Sequence, residues 1–145
     1  MTIHLIDSEE ILSCRILVID DEEANVRLLA SILEREGYHD LHCLTESTLA
    51  LERYITLDPD LVLLDLMMPE VDGFQLLEAF SRHDAPDVFR PVLVLTADTT
   101  IHARRRALAL GAKDFVSKPF DVIEVGLRIT NLLETRLLYE KLRAS

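Results

Sequence analysis

Four short clusters in this 145-residue sequence carry side chains that could do chemistry together: Asp20-Asp21-Glu22, Asp65, Thr96-Ala97 and Lys118-Pro119. Each stands at the end of an apolar run: Ile16-Leu17-Val18-Ile19, Leu61-Val62-Leu63-Leu64, Val92-Leu93-Val94-Leu95 and the weaker Phe115-Val116. Carboxylates that converge repel one another, so keeping all of them ionised is costly. A divalent cation relieves that repulsion, and hard oxygen ligands on a partly hydrated site suit Mg²⁺, which retains waters and phosphoryl oxygens in its shell. Beside such a cation a carboxylate can attack phosphorus and form an acyl phosphate. Lys118 would then pair with the phosphoryl oxygens, and Thr96 would donate a hydrogen bond to one of them. Taken singly, each residue has an ordinary explanation: an Asp after a strand is usually a turn or cap residue, and Lys-Pro is usually a loop. The chemistry needs an architecture that brings the four clusters to one place.

The surrounding pattern has that form. The first three apolar runs are continuous, as in strands buried on both faces, and a weaker, more polar strand lies near His39–Leu44. Helix-like stretches fall at about 23–36, 47–57, 73–83, 100–110 and 121–142. Gly37 and Gly111 sit where helix ends favour a left-handed residue, and Pro59, Pro69, Pro91 and Pro119 mark strand edges and loops. Alternating β and α units predict a parallel sheet covered by helices on both faces, with its ligand site at the carboxyl ends of the strands. All four clusters belong to those ends.

Composition narrows the function classes. Fifteen Lys and Arg stand against 26 Asp and Glu, a formal net charge of −11, which repels nucleic-acid phosphates and anionic lipid. No run approaches a membrane span, residues 1–10 lack a basic and apolar signal pattern, and four glycines supply neither GxxxxGK[ST] nor GxGxxG. Cys14 and Cys43 form no CxxC motif and are expected to be buried free thiols, in keeping with a cytoplasmic location. Residues 1–13 are expected to be a leader, frayed or loosely packed through Ile3, Leu5, Ile6, Ile11 and Leu12.

The motifs Ile19-Asp20-Asp21-Glu22, Pro59-Asp60-Leu61-Val62-Leu63-Leu64-Asp65-Leu66-Met67-Met68-Pro69, Asp72-Gly73-Phe74, Leu95-Thr96-Ala97 and Gly111-Ala112-Lys113-Asp114-Phe115-Val116-Ser117-Lys118-Pro119-Phe120 resemble the receiver domain of two-component response regulators. The resemblance implies a flavodoxin-like, doubly wound five-stranded sheet of order 2-1-3-4-5 over residues 14–131. It implies a signalling domain that is not an enzyme in the ordinary sense. A phosphoryl group would pass from a sensor histidine kinase or a phosphotransfer protein to Asp65. Mg²⁺, with Mn²⁺ as a substitute, would be held by Asp21, Asp65 and the backbone carbonyl of Met67, with Asp20 acting through water. Thr96 and Phe115 would form the switch pair, Lys118 would neutralise the phosphoryl group, and Lys118–Pro119 would be a cis peptide. Met67 and Asp98 occupy the positions that tune dephosphorylation.

Residues 132–145 lie beyond the expected domain. Leu132, Thr135, Tyr139 and Leu142 follow heptad spacing imperfectly, so this extension reads either as a helix end packed on its own domain or as a coiled-coil linker. Asn131–Leu142 is similar to linkers that precede cyclic-di-GMP phosphodiesterase (HD-GYP) domains, and such linkers also precede cyclases and kinases. An output domain is therefore expected after this chain. Self-association through the fourth helix, fifth strand and fifth helix, or through the C-terminal helix, is a further expectation. The basic run Arg104-Arg105-Arg106 reads as a solvated face, or as a contact to acidic residues of a partner or second copy. Two rivals remain at this stage. One is a haloacid-dehalogenase-like phosphatase, although Met67 stands where that chemistry wants a second carboxylate. The other is a receiver-like interaction module that never carries phosphate.

Overall fold

The computed structural model describes residues 6–144. Five parallel strands form the sheet: β1 (Arg15–Ile19), β2 (Asp40–Leu44), β3 (Leu61–Leu64), β4 (Val92–Thr96) and β5 (Asp114–Ser117), in the order β2-β1-β3-β4-β5. This is the expected flavodoxin-like order. The connecting helices are α1 (Ser8–Leu12), α2 (Glu23–Glu36), α3 (Ala50–Leu57), α4 (Gly73–His83), α5 (Ile101–Ala109) and α6 (Val122–Ala144). The helix expected over 47–57 begins with a tight 3₁₀ turn, Ser47–Leu49, before α3.

The continuous apolar runs have the predicted cause. Along β1, Leu17 and Ile19 face one buried layer with α3, α4 and α5, while Ile16 and Val18 face the other with α2 and α6. Strand side chains alternate between faces, so a strand covered on both sides needs every residue apolar. Helix ends follow local chemistry. At the end of α2, Gly37 adopts φ +104°, its N–H donates to the Glu34 carbonyl (3.1 Å) and the Tyr38 N–H donates to the Leu33 carbonyl (3.1 Å), which closes the helix with a left-handed residue. Asp72 and Gln75 cap α4 reciprocally at 2.9 and 3.0 Å.

For the described part of residues 1–13 the structure shows the packed alternative, and one other expectation, on Cys43, needs correction. Residues 8–12 are a short helix: the Asp7 carboxylate accepts the Glu10 N–H at 2.9 Å, and Ile11 and Leu12 pack on the α2–α6 layer. Ile3 and Leu5 lie outside the described residues. Cys14 is buried, its thiol pushed up to about 12 chiefly by burial and then by the Asp60 charge, but Cys43 is exposed because β2 is an edge strand.

The C-terminal extension packs on its own domain. Arg136, 5% exposed, donates to the Asp60 carboxylate (3.2 Å), the Phe89 carbonyl (3.0 Å) and the Glu140 carboxylate (2.9 Å). Tyr139 stacks on Phe89 with ring centroids 4.9 Å apart, and Leu132 packs on the core layer. Of the suggested heptad positions, Leu142 is the most exposed, and Tyr139 is partly open to solvent despite its stacking on Phe89. Among the described residues no helix is long and apolar enough to cross a membrane.

Candidate functional site

Backbone pairing continues one residue past the strands and fixes the site. The Asp65 N–H donates to the Ile19 carbonyl (3.0 Å), the Asp20 N–H to the Leu44 carbonyl (3.2 Å) and the Lys118 N–H to the Thr96 carbonyl (2.8 Å). The four clusters therefore share the carboxyl edge of the sheet. Oxygen atoms of Asp20, Asp21 and Asp65 lie within 4.8 Å of one another. Asp20 and Asp65 are buried, and Asp21 is open to solvent. Lys118 Nζ donates to Asp20 Oδ2 at 2.8 Å and stands 3.5 Å from Asp65 Oδ2. One ammonium thus faces three carboxylates.

The electrostatics follow from that shortage. Burial pushes the Asp65 carboxyl above the ordinary carboxylate range. The Lys118 ammonium and the Met67 N–H pull it down, Asp20 and Asp21 push it up again, and the net direction is upward. For Lys118 burial acts downward, but the Asp20 hydrogen bond and the Asp65 charge outweigh it, so the ammonium is held more firmly than usual. Clustered oxygen ligands with uncompensated negative charge fit a hard divalent cation. They do not fit a soft metal, since no His or Cys joins the group.

The remaining expected residues fall around this centre. Met67 is in the loop after β3; its N–H donates to Asp65 Oδ1 at 3.2 Å and its side chain is 60% exposed. Thr96 is fully buried, and its hydroxyl oxygen accepts the Asp98 N–H at 3.3 Å. Phe115 is buried in the α3–α5 layer with the Arg104 guanidinium 5.8 Å from its ring centroid. Asp98 is engaged with Thr100, accepting its N–H at 3.1 Å and its hydroxyl at 2.9 Å, and these bonds hold its carboxyl below the ordinary range. Lys118–Pro119 is cis, as the resemblance implied.

Sequence reasoning missed three contributors. Asn25 Nδ2 donates to Asp20 Oδ2 at 3.3 Å; its position in the first turn of α2, directly after the acidic cluster, was the available signal. Gly73 lets the chain pass so closely that an added Cβ would stand 2.6 Å from the Asp65 carbonyl oxygen and the Leu66 Cα. Ser47, remote in sequence, hydrogen-bonds the loop that carries Met67.

An acidic cluster and one lysine at the carboxyl edge of a parallel sheet of this order stand where such folds place a ligand site. The family model "Response regulator receiver domain" matches residues 16–130, and the chain belongs to that family, the signalling domain of two-component systems. Receiver domains bind Mg²⁺ through an acidic cluster such as this one. Among curated relatives, response regulator PleD of Caulobacter vibrioides is 37% identical over 132 residues, covering 91% of this chain and 29% of that protein. Response regulator SaeR of Staphylococcus aureus is 40% identical over 120 residues, covering 81% of this chain and 50% of that one. The Francisella response regulator 1452 receiver domain superposes with a TM-score of 0.76 at 26% identity, covering 85% of this chain and 98% of that one. NtrX from Brucella abortus gives 0.78 at 31% identity, covering 90% and 29% respectively. The chain thus spans between about a quarter and a half of the curated relatives it matches.

Proposed function

We propose that the domain accepts a phosphoryl group on Asp65 from the phosphohistidine of a sensor kinase or phosphotransfer protein. The carrying observation is the placement of Asp65: buried, oriented by the Met67 N–H, and 3.5 Å from Lys118. A carboxylate oxygen of Asp65 forms the new bond to phosphorus as the donor's P–N bond breaks, and the imidazole leaves with its electron pair and takes a proton from solvent. Asp21, Asp65 and the Met67 carbonyl would hold Mg²⁺, with Asp20 acting through water and Mn²⁺ able to substitute. Bound there, the cation supplies charge neutralisation on the transferring oxygens.

Lys118 already bridges Asp20 and Asp65, so it needs only a small shift to meet a phosphoryl oxygen. Beside it opens a cleft bordered by Asn25, Leu28, Ala97, Pro119 and Phe120, an apolar rim suited to a donor protein's helix. Phosphorylation adds about −1.5 to −2 charges near neutral pH. It favours a second arrangement only by differential contacts, here with Lys118 and the Thr96 hydroxyl, with Phe115 following Thr96. The α5–β5–α6 face would then change for an output domain or for a second copy. Met67 and Asp98 set how long the group persists.

Acetyl phosphate with Mg²⁺ should label the protein once, with no turnover of a generic phosphate ester; failure of labelling would favour a phosphate-independent interaction module. Thr96→Ala should still be labelled but should leave the α5–β5–α6 amide resonances nearly unmoved by beryllofluoride. Full wild-type shifts in that variant would refute the switch.

A further inference from the structure

The loop between Asp65 and α4 contains a strained turn. Glu70, exposed and without a glycine's freedom, adopts φ +68°, and the Val71 N–H donates to the Pro69 carbonyl at 2.9 Å. A bond closing over a single left-handed residue is a γ-turn of the rare kind, and such backbone persists only where its surroundings over-determine it. The structure supplies one side chain that does so. Ser47, 7% exposed and at the start of the 3₁₀ turn after β2, donates its hydroxyl to the Pro69 carbonyl (2.9 Å) and accepts the Val71 N–H (3.4 Å). A single hydroxyl thus grips both ends of the strained peptide pair, which a hydroxyl can do because it is donor and acceptor together.

That turn begins two residues after Met67, whose N–H holds Asp65 Oδ1 at 3.2 Å. The other end of the same loop is pinned by the Gly73 N–H to the Leu66 carbonyl at 3.0 Å and by buried Leu66 and Met68. We infer that Ser47 is a positioning residue for the phosphoacceptor site: by holding the turn at Glu70 it sets the backbone of Met67 and, through it, the orientation of the Asp65 carboxylate. It touches neither the carboxylate cluster nor a phosphoryl group. The inference rests on the reading of Asp65 and the Met67 carbonyl as cation ligands, and the test is arranged so that the two fail separately.

Ser47→Ala removes both bonds, and Ser47→Cys keeps nearly the same volume with much poorer ones, so at least one should fold. Mg²⁺ alone is titrated while the Asp65 and Met67 amide resonances are followed, and the melting temperature is recorded in chelator. Outer-shell partners of a metal site commonly change affinity by about tenfold or more. The expected result is Mg²⁺ binding weakened about tenfold in both variants. The decisive arm is Glu70→Gly added to Ser47→Ala. Glycine adopts a positive φ without strain, so the double variant should recover most of the affinity even though the hydroxyl is still missing. Unchanged affinity in the single variants, or a loss that tracks melting temperature and is not recovered by Glu70→Gly, overturns the positioning role. Wild-type protein that neither binds Mg²⁺ nor accepts phosphate overturns the reading beneath it.

Discussion

At the carboxyl edge of the sheet, Asp20, Asp21 and Asp65 face one ammonium, Lys118. At the amino edge, the acids around Asp60 meet guanidinium groups: Asp60 meets Arg136, Asp58 and Asp84 meet Arg90, Asp40 meets Arg15 and Asp87 meets Arg143. The same strands connect the two edges, since Asp60 immediately precedes β3 and Asp65 immediately follows it. Pairing with good geometry makes one edge self-sufficient, and leaving charge unpaired makes the other receptive to a cation and an anionic group. Function here is located by where compensation is withheld.

The comparison breaks most visibly at Asp65. Asp65→Asn should abolish labelling by acetyl phosphate completely, measured as the absence of the phosphoryl mass increment. If label persists on another residue, the carboxyl edge is not a single-acceptor site. Next in size is the opposite edge. Arg136→Ala removes the guanidinium from the partly exposed Asp60 carboxylate, which keeps the Arg15 N–H, and from the Phe89 carbonyl, and should destabilise the domain by about 2 kcal/mol through lost hydrogen bonds and lost packing of the buried side chain. Denaturant unfolding measures this; a change under about 0.5 kcal/mol would mean that the extension is not held as described.

The third effect is smaller and of opposite sign. Burial raises the Asp65 carboxyl above its ordinary value, so ionising it costs stability that accumulates as pH rises above the unfolded value of about 3.9. In chelator at neutral pH, Asp65→Asn should therefore stabilise the fold, by less than Arg136→Ala destabilises it. A charge removed from one edge strengthens the molecule, and a charge removed from the other weakens it. Loss of stability on Asp65→Asn would erase the contrast.

How much of this was legible beforehand depends on the range of the signal. The strands and the helices over 23–36 and 73–83 were readable because apolar runs, a C-terminal glycine and an Asp-Gly start are local. Placing Asp20, Asp21, Asp65, Thr96 and Lys118 on one edge needed only the parallel-sheet rule. Ser47 was not legible: its bonds reach Pro69 and Val71, more than twenty residues away, and nothing near it in sequence marks them. The docking of α6 beyond Leu132 was one of two open readings, and the contacts that decide it were not legible. Heptad spacing speaks of a stripe, but Arg136 finds Asp60 only after the sheet has formed. Cys43 was misread although the implied strand order already put β2 at the edge: burial was inferred from the residue type and not from that position.

The smallest effect lies at Asp40, the outermost pair of the amino edge. Burial pushes its carboxyl upward, but hydrogen bonds from His42 (2.7 Å) and Arg15 (3.1 Å), with the Arg15 charge, outweigh that and hold it below the ordinary range. A carboxyl depressed in the folded state stabilises above its unfolded value of about 3.9, and that contribution disappears as pH falls through the lower folded value. Both partners are partly exposed, so solvent screening limits the benefit to about 0.5 kcal/mol. Asp40→Asn should therefore lower stability slightly at neutral pH, less so in high salt, and converge with wild type in acid. A pH-independent difference would assign the loss to packing on the edge strand and remove Asp40 from the set of compensated charges.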